Sequence, residues 1–399
     1  MWLYIFIVCL LLVTWITVDL ILGTKRQRST LSPYKDGVIR KSQAVLFTHG
    51  DSLFDHMLST IDKAHHHIHI QFFIFRSDHI GQKFLDLFKQ KAQQGIDVRL
   101  LVDWGGDHIS RKEKASLKKA GVQVAITNVP AFPFLFYSIN KRNHRKVSII
   151  DGEHGYIGGY NVGDEYLGRD PKKGRWRDYH LYIQGEACQD LQQQFVKDWN
   201  TASNDLLSLE PLTSKKLKAG PTSLTMVTTD GSHVIESIHG MLDKAEKSIF
   251  IGTPYFIPDK SLTAKLIDLA KKGMEINVLL PKYPDHPLVK DAAYPYFPAL
   301  LQAGVHFHQF YEGFYHAKVI IVDDALICIG TSNFDKRSFF INKEINCFIE
   351  DSEWTRDAKV EIEKDLVESS EPITMAHVEN RTLWEKTKEK VATLISYFL

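Results

Sequence analysis

The stretches HRKVSIID, residues 144–151, and HAKVIIVD, residues 316–323, decide the fold of this chain. Each follows the pattern His-x-Lys-x4-Asp. In each, a glycine lies seven residues after the aspartate and an asparagine three residues after that glycine. A single match to so short a pattern arises easily by chance. Two copies with the same extension predict a duplicated unit that carries one function.

The apolar residues that follow each lysine predict a β-strand. Alternation along such a strand puts the histidine and the lysine of one motif on the same face. A site assembled from both copies would hold two histidines, two lysines and two asparagines around one anion. That set suits a phosphodiester, because one imidazole attacks phosphorus, the other protonates the leaving group, and the remaining groups hold the oxygens. The predicted residues are His144, Lys146, Asp151, Asn161, His316, Lys318, Asp323 and Asn333.

Other interpretations of a histidine on an apolar strand fit the pair of motifs less well. A buried core histidine beside a surface lysine accounts for one copy, but not for two copies with matching extensions. Histidine is also a common metal ligand, but a lysine on the same strand face would repel a cation. We therefore expect no metal ion and no cofactor at this site.

The rest of the chain is also duplicated. The segment from Gly50 to Asp78 recurs as Gly231 to Asp259 at an offset of 181 residues, and both copies predict a helix followed by an apolar strand. Helices that end at Gly121 and at Gly304 continue the repeat. Alternating strands and helices predict an α/β fold of two fused domains related by a pseudo-twofold axis, each a mixed β-sheet flanked by helices. The predicted domains are residues 45–213 and 214–375.

The N-terminus predicts a membrane anchor. Trp2 to Leu22 is apolar apart from Asp19 and is long enough to cross a bilayer. A cleaved signal peptide is the alternative, but the segment has no basic start and no small-residue cleavage site. Lys25, Arg26 and Arg28 predict a cytoplasmic catalytic part. We assign residues 1–23 to a transmembrane helix and residues 24–44 to a juxtamembrane linker.

The C-terminal residues 376–399 predict one amphipathic helix. Leu383, Trp384, Val391 and Leu394 recur at helical spacing among lysines. The sequence allows two positions for this helix, either in the membrane interface or packed on the globular body.

Composition argues against some classes of function. The 399 residues contain 49 Lys and Arg against 48 Asp and Glu, so the overall charge gives no support to nucleic-acid binding. The four cysteines are scattered without the spacing of a disulfide framework or a zinc site.

The two motifs resemble the signature of the phospholipase D superfamily, over roughly residues 45 to 350. The resemblance implies that one histidine forms a phosphohistidine and that the other acts as general acid and then as general base. His144 resembles the nucleophile and His316 the acid and base, although the symmetry leaves their order open. Asp151 and Asp323 are interpreted as pinning the turns that follow the strands.

The resemblance also implies supporting residues. Glu165 and Glu344 resemble carboxylates that orient the histidine of the opposite half, with Asp178 as an alternative to Glu165. Ser332 fits a region of small residues near the phosphate. Gly159 stands where a hydroxyl residue is usual and is expected to supply only a backbone N–H group. The two lysines and the two asparagines of the motifs would hold the phosphate.

Further segments resemble bacterial cardiolipin synthases of a short, single-span type; these are residues 71–78, 159–166, 176–178, 253–259 and 284–286. This likeness implies the joining of two phosphatidylglycerols into cardiolipin with release of glycerol, at a membrane and without nucleic acid. Aromatic runs before each motif suit lipid chains. A phospholipase D-type hydrolase, a transferase that uses another alcohol and a nuclease of the same superfamily are the alternatives.

Overall fold

A computed structural model describes residues 1–31, 34, 37–213 and 217–399. The chain forms two similar halves. The strands of the first half are β1 Ile39–Phe47, β2 His67–Phe72, β3 Phe75–Arg76, β4 Asp97–Asp103, β5 Asp107–His108, β6 Gln123–Thr127, β7 Val147–Ile150, β8 His154–Gly158, β9 Arg175–Arg177 and β10 His180–Gly185. Its helices are α1 Trp2–Ser29, α2 Gly50–Asp62, α3 His79–Gln93, α4 Arg111–Ala120, α5 Leu135–Asn140, α6 Cys188–Ala202 and α7 Glu210–Thr213.

The second half repeats this order. Its strands are β11 Thr222–Asp230, β12 Ser248–Gly252, β13 Glu275–Pro281, β14 His306–Phe310, β15 Gly313–Tyr315, β16 Val319–Val322, β17 Leu326–Gly330, β18 Lys343–Glu350 and β19 Ser370–Ile373. Its helices are α8 Val234–Leu242, α9 Lys260–Lys271, α10 Val289–Ala293, α11 Phe297–Ala303, α12 Lys336–Phe340, α13 Ser352–Glu368, α14 Met375–Glu379 and α15 Leu383–Ile395. Short 3₁₀ turns lie at Trp104–Gly106, Asp164–Leu167 and Tyr294–Tyr296.

One continuous sheet runs through both halves. Among the described residues its order is β19-β14-β13-β12-β16-β17-β18-β11-β1-β10-β8-β7-β2-β4-β6. Apart from the added edge strand β19, the order is the same when it is read from either side of the β1–β11 pair. The two halves are therefore related by a pseudo-twofold axis, as the duplicated sequence predicts, and their sheets join edge to edge.

Helices cover both faces of this sheet. On the outer face, α2 and α3 pack on the first half and α8 and α9 on the second, each over its own apolar core. On the other face, α6 and α13 share one core with strands of both halves. Because that core belongs to neither half alone, the relative position of the two motifs is fixed by packing.

The repeat is visible in the ends of the helices. Asp78 caps α3 by accepting a hydrogen bond from Gly81 N at 3.2 Å, and Asp259 caps α9 by accepting one from Leu262 N at 2.9 Å. Gly121 has φ 99° after α4, and Gly304 has φ 100° after α11. Both are left-handed C-caps, as the sequence predicts.

The boundaries differ from the predicted ones at both ends. α1 continues to Ser29 and β1 begins at Ile39, inside the range 24–44 that was predicted as a linker. The polar residues of β1 look like a linker, but its backbone is paired on both sides by β10 and β11. At the C-terminus, residues 376–399 form α14 and α15 instead of one helix. The predicted domain boundary at Ser214 lies outside the described residues.

α1 is long and apolar enough to cross a membrane, and one face of it contacts the body of the protein. Asp19, the charge within the apolar segment, accepts a hydrogen bond from Tyr137 N of α5 at 2.8 Å. One turn further on, Gly23 lies so close that a Cβ atom there would be 2.4 Å from Tyr137 Cβ. Gln27 accepts a hydrogen bond from Lys141 Nζ at 2.6 Å. α1 is thus held against the segment that leads directly into the first motif.

Candidate active site

Each motif begins three residues before a buried strand, at His144 before β7 and at His316 before β16. His144 N donates to Lys343 O at 2.9 Å, and His316 N donates to Arg177 O at 2.7 Å. Each motif is therefore hydrogen-bonded to a segment of the opposite half. The residues that follow in those segments, Glu344 and Asp178, are fully buried carboxylates.

The two carboxylates cross over between the halves. His144 Nδ1 lies 3.0 Å from Glu344 Oε2, and His316 Nδ1 lies 2.5 Å from Asp178 Oδ2. A carboxylate that accepts a hydrogen bond from Nδ1 fixes the ring and leaves Nε2 with the free electron pair. Each half thus orients the imidazole of the other, and neither half alone makes a complete site.

Glu344 is held by two hydroxyl groups. Thr331 Oγ1 donates to Oε2 at 2.5 Å, and Ser338 Oγ donates to Oε1 at 3.0 Å. Burial raises the pKa of Glu344, but the opposing effects of His144, Lys146 and the Thr331 hydroxyl are larger and bring it below the usual value. Glu344 is therefore ionised at neutral pH and acts only as an acceptor.

Asp178 is supported differently. Its Oδ1 accepts a hydrogen bond from Tyr179 N at 2.8 Å, and Lys318 Nζ lies 3.6 Å from its Oδ2. Gly159 makes room for it, because a Cβ atom at that position would lie 2.0 Å from Asp178 Oδ1. The expectation that Gly159 offers a free backbone N–H group is wrong, since this group donates to Tyr179 O at 2.9 Å within the sheet.

The two motif lysines are both buried and lie near enough for the charge of one to affect the pKa of the other. Burial, followed by the positive charge of Lys318, lowers the pKa of Lys146 well below its usual value. Burial also lowers the pKa of Lys318, to about 8, against the opposing charges of Asp178 and Glu344. Lys146 Nζ donates to His144 O at 2.8 Å, and Lys318 Nζ donates to His316 O. Because burial disfavours the charged forms of both lysines, an anion that binds beside them stabilises their protonated forms and is attracted strongly.

Both imidazoles are held neutral. Burial lowers the pKa of His144 to about 4, with Glu344 opposing the shift and Lys146 adding to it. Burial and then the charges of Lys318 and Lys146 lower the pKa of His316 well below its usual value. Because the charges of the lysines contribute to both shifts, an anion that neutralises them makes it easier for a histidine to take up a proton.

The motif asparagines lie beside this space. Asn161 is buried, and its Oδ1 accepts a hydrogen bond from Ile74 N at 3.0 Å, which fixes the orientation of its side-chain amide. Asn333 is buried, and its Oδ1 has no hydrogen-bond partner in the part of the chain that the structure describes. Ser332 Oγ accepts from Asn346 Nδ2 at 2.8 Å, so the hydroxyl is engaged within its own half.

The motif aspartates do not join this cluster. Asp151 accepts hydrogen bonds from the backbone N–H groups of residues 65, 66 and 67, and Asp323 from those of residues 246, 247 and 248, all at 2.8 to 3.0 Å. Each lies five residues beyond its lysine, which along a strand is roughly 16 Å. The prediction that Asp151 and Asp323 are catalytic is therefore wrong. They stabilise the turns by hydrogen bonds, as the resemblance implies.

Glu165 does not contact a motif histidine. Its Oε1 lies 2.9 Å from Arg76 Nε and its Oε2 lies 2.5 Å from Lys173 Nζ. Of the two carboxylates left open by the sequence, Asp178 is the one that contacts His316. Glu165 instead pairs with two cations of its own half, Arg76 and Lys173.

Several residues at the site were not predicted. The ring of Phe73 lies 5.1 Å from that of His144, and the ring of Trp176 lies 4.9 Å from that of His316. These aromatic walls limit the access of water to both imidazoles. Thr331 was also missed, although its position between Gly330 and Ser332 in the repeated extension could have indicated it.

Arg145, between the histidine and the lysine of the first motif, was also not predicted as part of the site. Its fully buried guanidinium donates to both oxygens of Asp198 at 2.8 Å, to Asp230 Oδ1 at 2.7 Å and to Glu344 O at 3.0 Å. The corresponding residue of the second motif is Ala317, which cannot make these bonds. Arg145 thus ties the strand that carries Glu344 to the first motif.

Comparison with known proteins identifies the family. A family profile described as "Cardiolipin synthase, PLD-like domain" matches residues 57–199 and 238–366, which is more than half of the chain, with one motif in each segment. The chain belongs to the cardiolipin synthase family of the phospholipase D superfamily. It is therefore a phosphatidyltransferase of that superfamily, as predicted from the two motifs and the runs that resemble cardiolipin synthases.

Relatives in this family share most of the chain. The chain is 40% identical over 362 residues to the minor cardiolipin synthase ClsB of Bacillus subtilis (strain 168), and the match covers 90% of each protein. It is 37% identical over 372 residues to a cardiolipin synthase of Geobacillus sp. (strain WCH70), which covers 92% of this chain and 74% of that one. The fold is similar to that of the phosphatidylserine synthase of Haemophilus influenzae Rd KW20, with a TM-score of 0.70 at 15% identity over 94% of this chain and all of that one.

Proposed function

We propose that the chain makes cardiolipin and glycerol from two phosphatidylglycerols, with His144 as nucleophile and His316 as general acid and base. The observation that carries this proposal is the crossed pair of histidines and carboxylates around two buried lysines. The family supplies the reaction, and the geometry supplies a role for each side chain.

In the first step, the phosphate of one phosphatidylglycerol lies between Lys146 and Lys318. Burial and the charges of the lysines keep the pKa of His316 low; the anion offsets these charges, so His316 takes up a proton as substrate binds. His144 Nε2 then attacks phosphorus. The bond from phosphorus to the headgroup oxygen breaks, and this oxygen takes the proton of His316 and leaves as glycerol.

In the second step, the headgroup hydroxyl of another phosphatidylglycerol replaces glycerol. Neutral His316 removes its proton as the oxygen attacks phosphorus, and the bond between phosphorus and His144 breaks. The product is cardiolipin, and His316 releases the proton it has taken up when the product leaves, so that both imidazoles return to their neutral starting state. The aromatic rings of Phe73 and Trp176 favour this outcome over hydrolysis, because they limit the water that reaches the intermediate.

We further propose that α1 crosses the cell membrane once and leaves the catalytic body in the cytoplasm. Lys25, Arg26 and Arg28 at the end of α1 support this orientation. All four cysteines are free, which suits a reducing compartment.

The test is to incubate the full chain in phosphatidylglycerol vesicles and to follow the lipids by mass spectrometry. Cardiolipin and glycerol are expected from the wild type, and neither product from His144→Ala or His316→Ala. Phosphatidic acid without cardiolipin would instead identify a hydrolase. No lipid turnover at all would contradict the proposal.

A metal-free mechanism also predicts the response to chelation. The phosphate is held by lysine and asparagine side chains, and the proposed nucleophile and acid are imidazoles, so EDTA is expected to leave the rate of cardiolipin formation unchanged. A parallel assay after addition of excess Mg²⁺ serves as the control. Loss of activity in EDTA, restored by the cation, would refute this mechanism.

A further inference from the structure

The C-terminal helix α15 exposes its apolar face instead of burying it. Leu383 is 86% exposed, Trp384 70%, Val391 49% and Leu394 85%. At 3.6 residues per turn these side chains lie on one side of the helix. An amphipathic surface helix of a soluble protein ordinarily turns such a face toward the core.

The opposite side of α15 holds the helix on the body. Ala392 is fully buried among Ile257, Val289 and Ala292 of the second half. Just before the helix, the Arg381 guanidinium lies 3.7 Å from the ring centroid of Tyr294 and also pairs with Glu389 of α15. The orientation of α15 is therefore set by packing and by an ion pair, and the exposed face is not the result of a loose helix end.

Lysines border the exposed apolar face on both sides. Lys386 and Lys390 lie along one edge, and Lys388, whose ammonium group also lies 3.6 Å from Asp291 Oδ2, lies along the other. An apolar stripe between rows of lysine is typical of helices that lie in the interface of an anionic bilayer, because the lysine stems extend along the lipid while their charges reach the headgroups.

α15 also leads directly to the membrane helix. Tyr397 and Phe398, which follow α15, line a cavity together with residues Thr17, Leu20, Ile21, Thr24, Lys25 and Arg28 of α1. That part of α1 is where its apolar segment gives way to positive charge. The end of α15 therefore lies at the level expected for the boundary between lipid and water.

We propose that the outer face of α15, formed by Leu383, Trp384, Val391 and Leu394, lies in the headgroup layer of an anionic phospholipid bilayer. α15 is thus a second membrane contact of the body, in addition to α1. Two contacts fix the tilt of the body on the membrane, so the opening between the motifs keeps a constant position relative to its lipid substrates.

The test compares two neighbouring positions on α15 in the full chain. A Cys9→Ser variant removes the exposed thiol, since Cys188, Cys328 and Cys347 are buried. Leu394→Cys places an environment-sensitive fluorophore on the apolar face, and Thr393→Cys places it at an exposed position on the polar face as a matched control. Both proteins are reconstituted in vesicles of phosphatidylglycerol and phosphatidylcholine that contain a doxyl-labelled lipid.

The expected result is a blue-shifted emission that the doxyl lipid quenches at position 394, with neither effect at position 393. Equal emission and no quenching at both positions would overturn the proposal. A blue shift at position 394 that is insensitive to doxyl lipid but increases with protein concentration in lipid-free detergent would also overturn it, because the occupant of this face would then be a second copy of the chain.

Discussion

The two half-sites orient their histidines by different means. In one, the longer side chain of Glu344 reaches His144, and the hydroxyls of Thr331 and Ser338 hold it in place. In the other, the shorter Asp178 reaches His316 because Gly159, at the position equivalent to Thr331, leaves space for it. Gly159 thus lacks the hydroxyl group that Thr331 provides in the other half, but it leaves the space that Asp178 needs to reach His316.

The environments of the two carboxylates also differ in charge. Glu344 has a pKa below its usual value, whereas burial raises the pKa of Asp178 against the opposing charge of Lys318. The firmly ionised Glu344 suits a histidine that must keep Nδ1–H and use Nε2 as nucleophile. The weaker anion Asp178, shared between His316 and Lys318, suits a histidine that gains and loses a proton. The two similar halves thus differ in the carboxylate that orients each histidine, and this difference supports the proposed division of roles.

The largest expected effect separates the roles of the two histidines. His144→Ala and His316→Ala are each expected to lower cardiolipin formation by on the order of 10⁴-fold or more, because both groups act in one reaction unit. With phosphatidyl-p-nitrophenol as donor, the leaving group needs no proton, so His316→Ala still releases a burst of nitrophenol and His144→Ala does not. Stopped-flow absorbance measures the burst. The reverse pattern would exchange the two roles.

A smaller but still large effect is expected when the space beside Asp178 is filled. A Cβ atom at position 159 would lie 2.0 Å from Asp178 Oδ1, so Gly159→Ala displaces the carboxylate from His316. Misplacement of this size costs about 10²-fold in kcat. Steady-state kinetics measure it, with thermal unfolding as the check that the variant is folded. Wild-type kcat in a folded Gly159→Ala protein would contradict the role of Asp178.

The equivalent change in the other half is expected to cost less. Thr331→Val removes one of two hydroxyl donors to Glu344 and lowers kcat/KM by about tenfold, the value of one hydrogen bond to a charged group. Because that hydroxyl helps to lower the pKa of Glu344, its loss raises this pKa, and activity is lost at a higher pH on the acid side. A pH profile of kcat/KM checks the shift. Thr331→Ser, which keeps the hydroxyl, serves as the control and should behave like the wild type.

The smallest effect concerns the alkaline limb of the pH profile. Lys318 has a pKa of about 8 and binds phosphate only while it is protonated, so kcat/KM of the wild type should fall by about tenfold per pH unit above that value. Arginine remains charged throughout this range. Lys318→Arg is therefore expected to flatten the alkaline limb, even if its activity at neutral pH is lower. If the alkaline limb of kcat/KM is unchanged in Lys318→Arg, the group that titrates there is not Lys318.

Much of the architecture could be predicted from the sequence because it depends on local sequence patterns. The duplicated segments, the capping residues Asp78 and Asp259 and the apolar strands after each lysine all depend on short-range physics, which alternation and capping rules describe. The bounds of β1 were missed for the opposite reason. Its polar residues have no local strand signal, and it is a strand because β10 and β11 pair with it on both sides.

The sequence by itself provided two His-x-Lys-x4-Asp units and the prediction that together they hold a phosphodiester, since the identity and spacing of reactive groups are local properties. Only the tertiary structure showed that Asp178, and not Glu165, contacts His316. It also showed that Gly159 leaves space for Asp178 and that Asp19 accepts a hydrogen bond from α5. The contacts of Asp178 with His316 and of Asp19 with Tyr137 span more than a hundred residues, and Gly159 matters only because Asp178 must reach the histidine of the opposite half. Such distances are set by the packing of the whole sheet and its helices, which no pattern along the chain records.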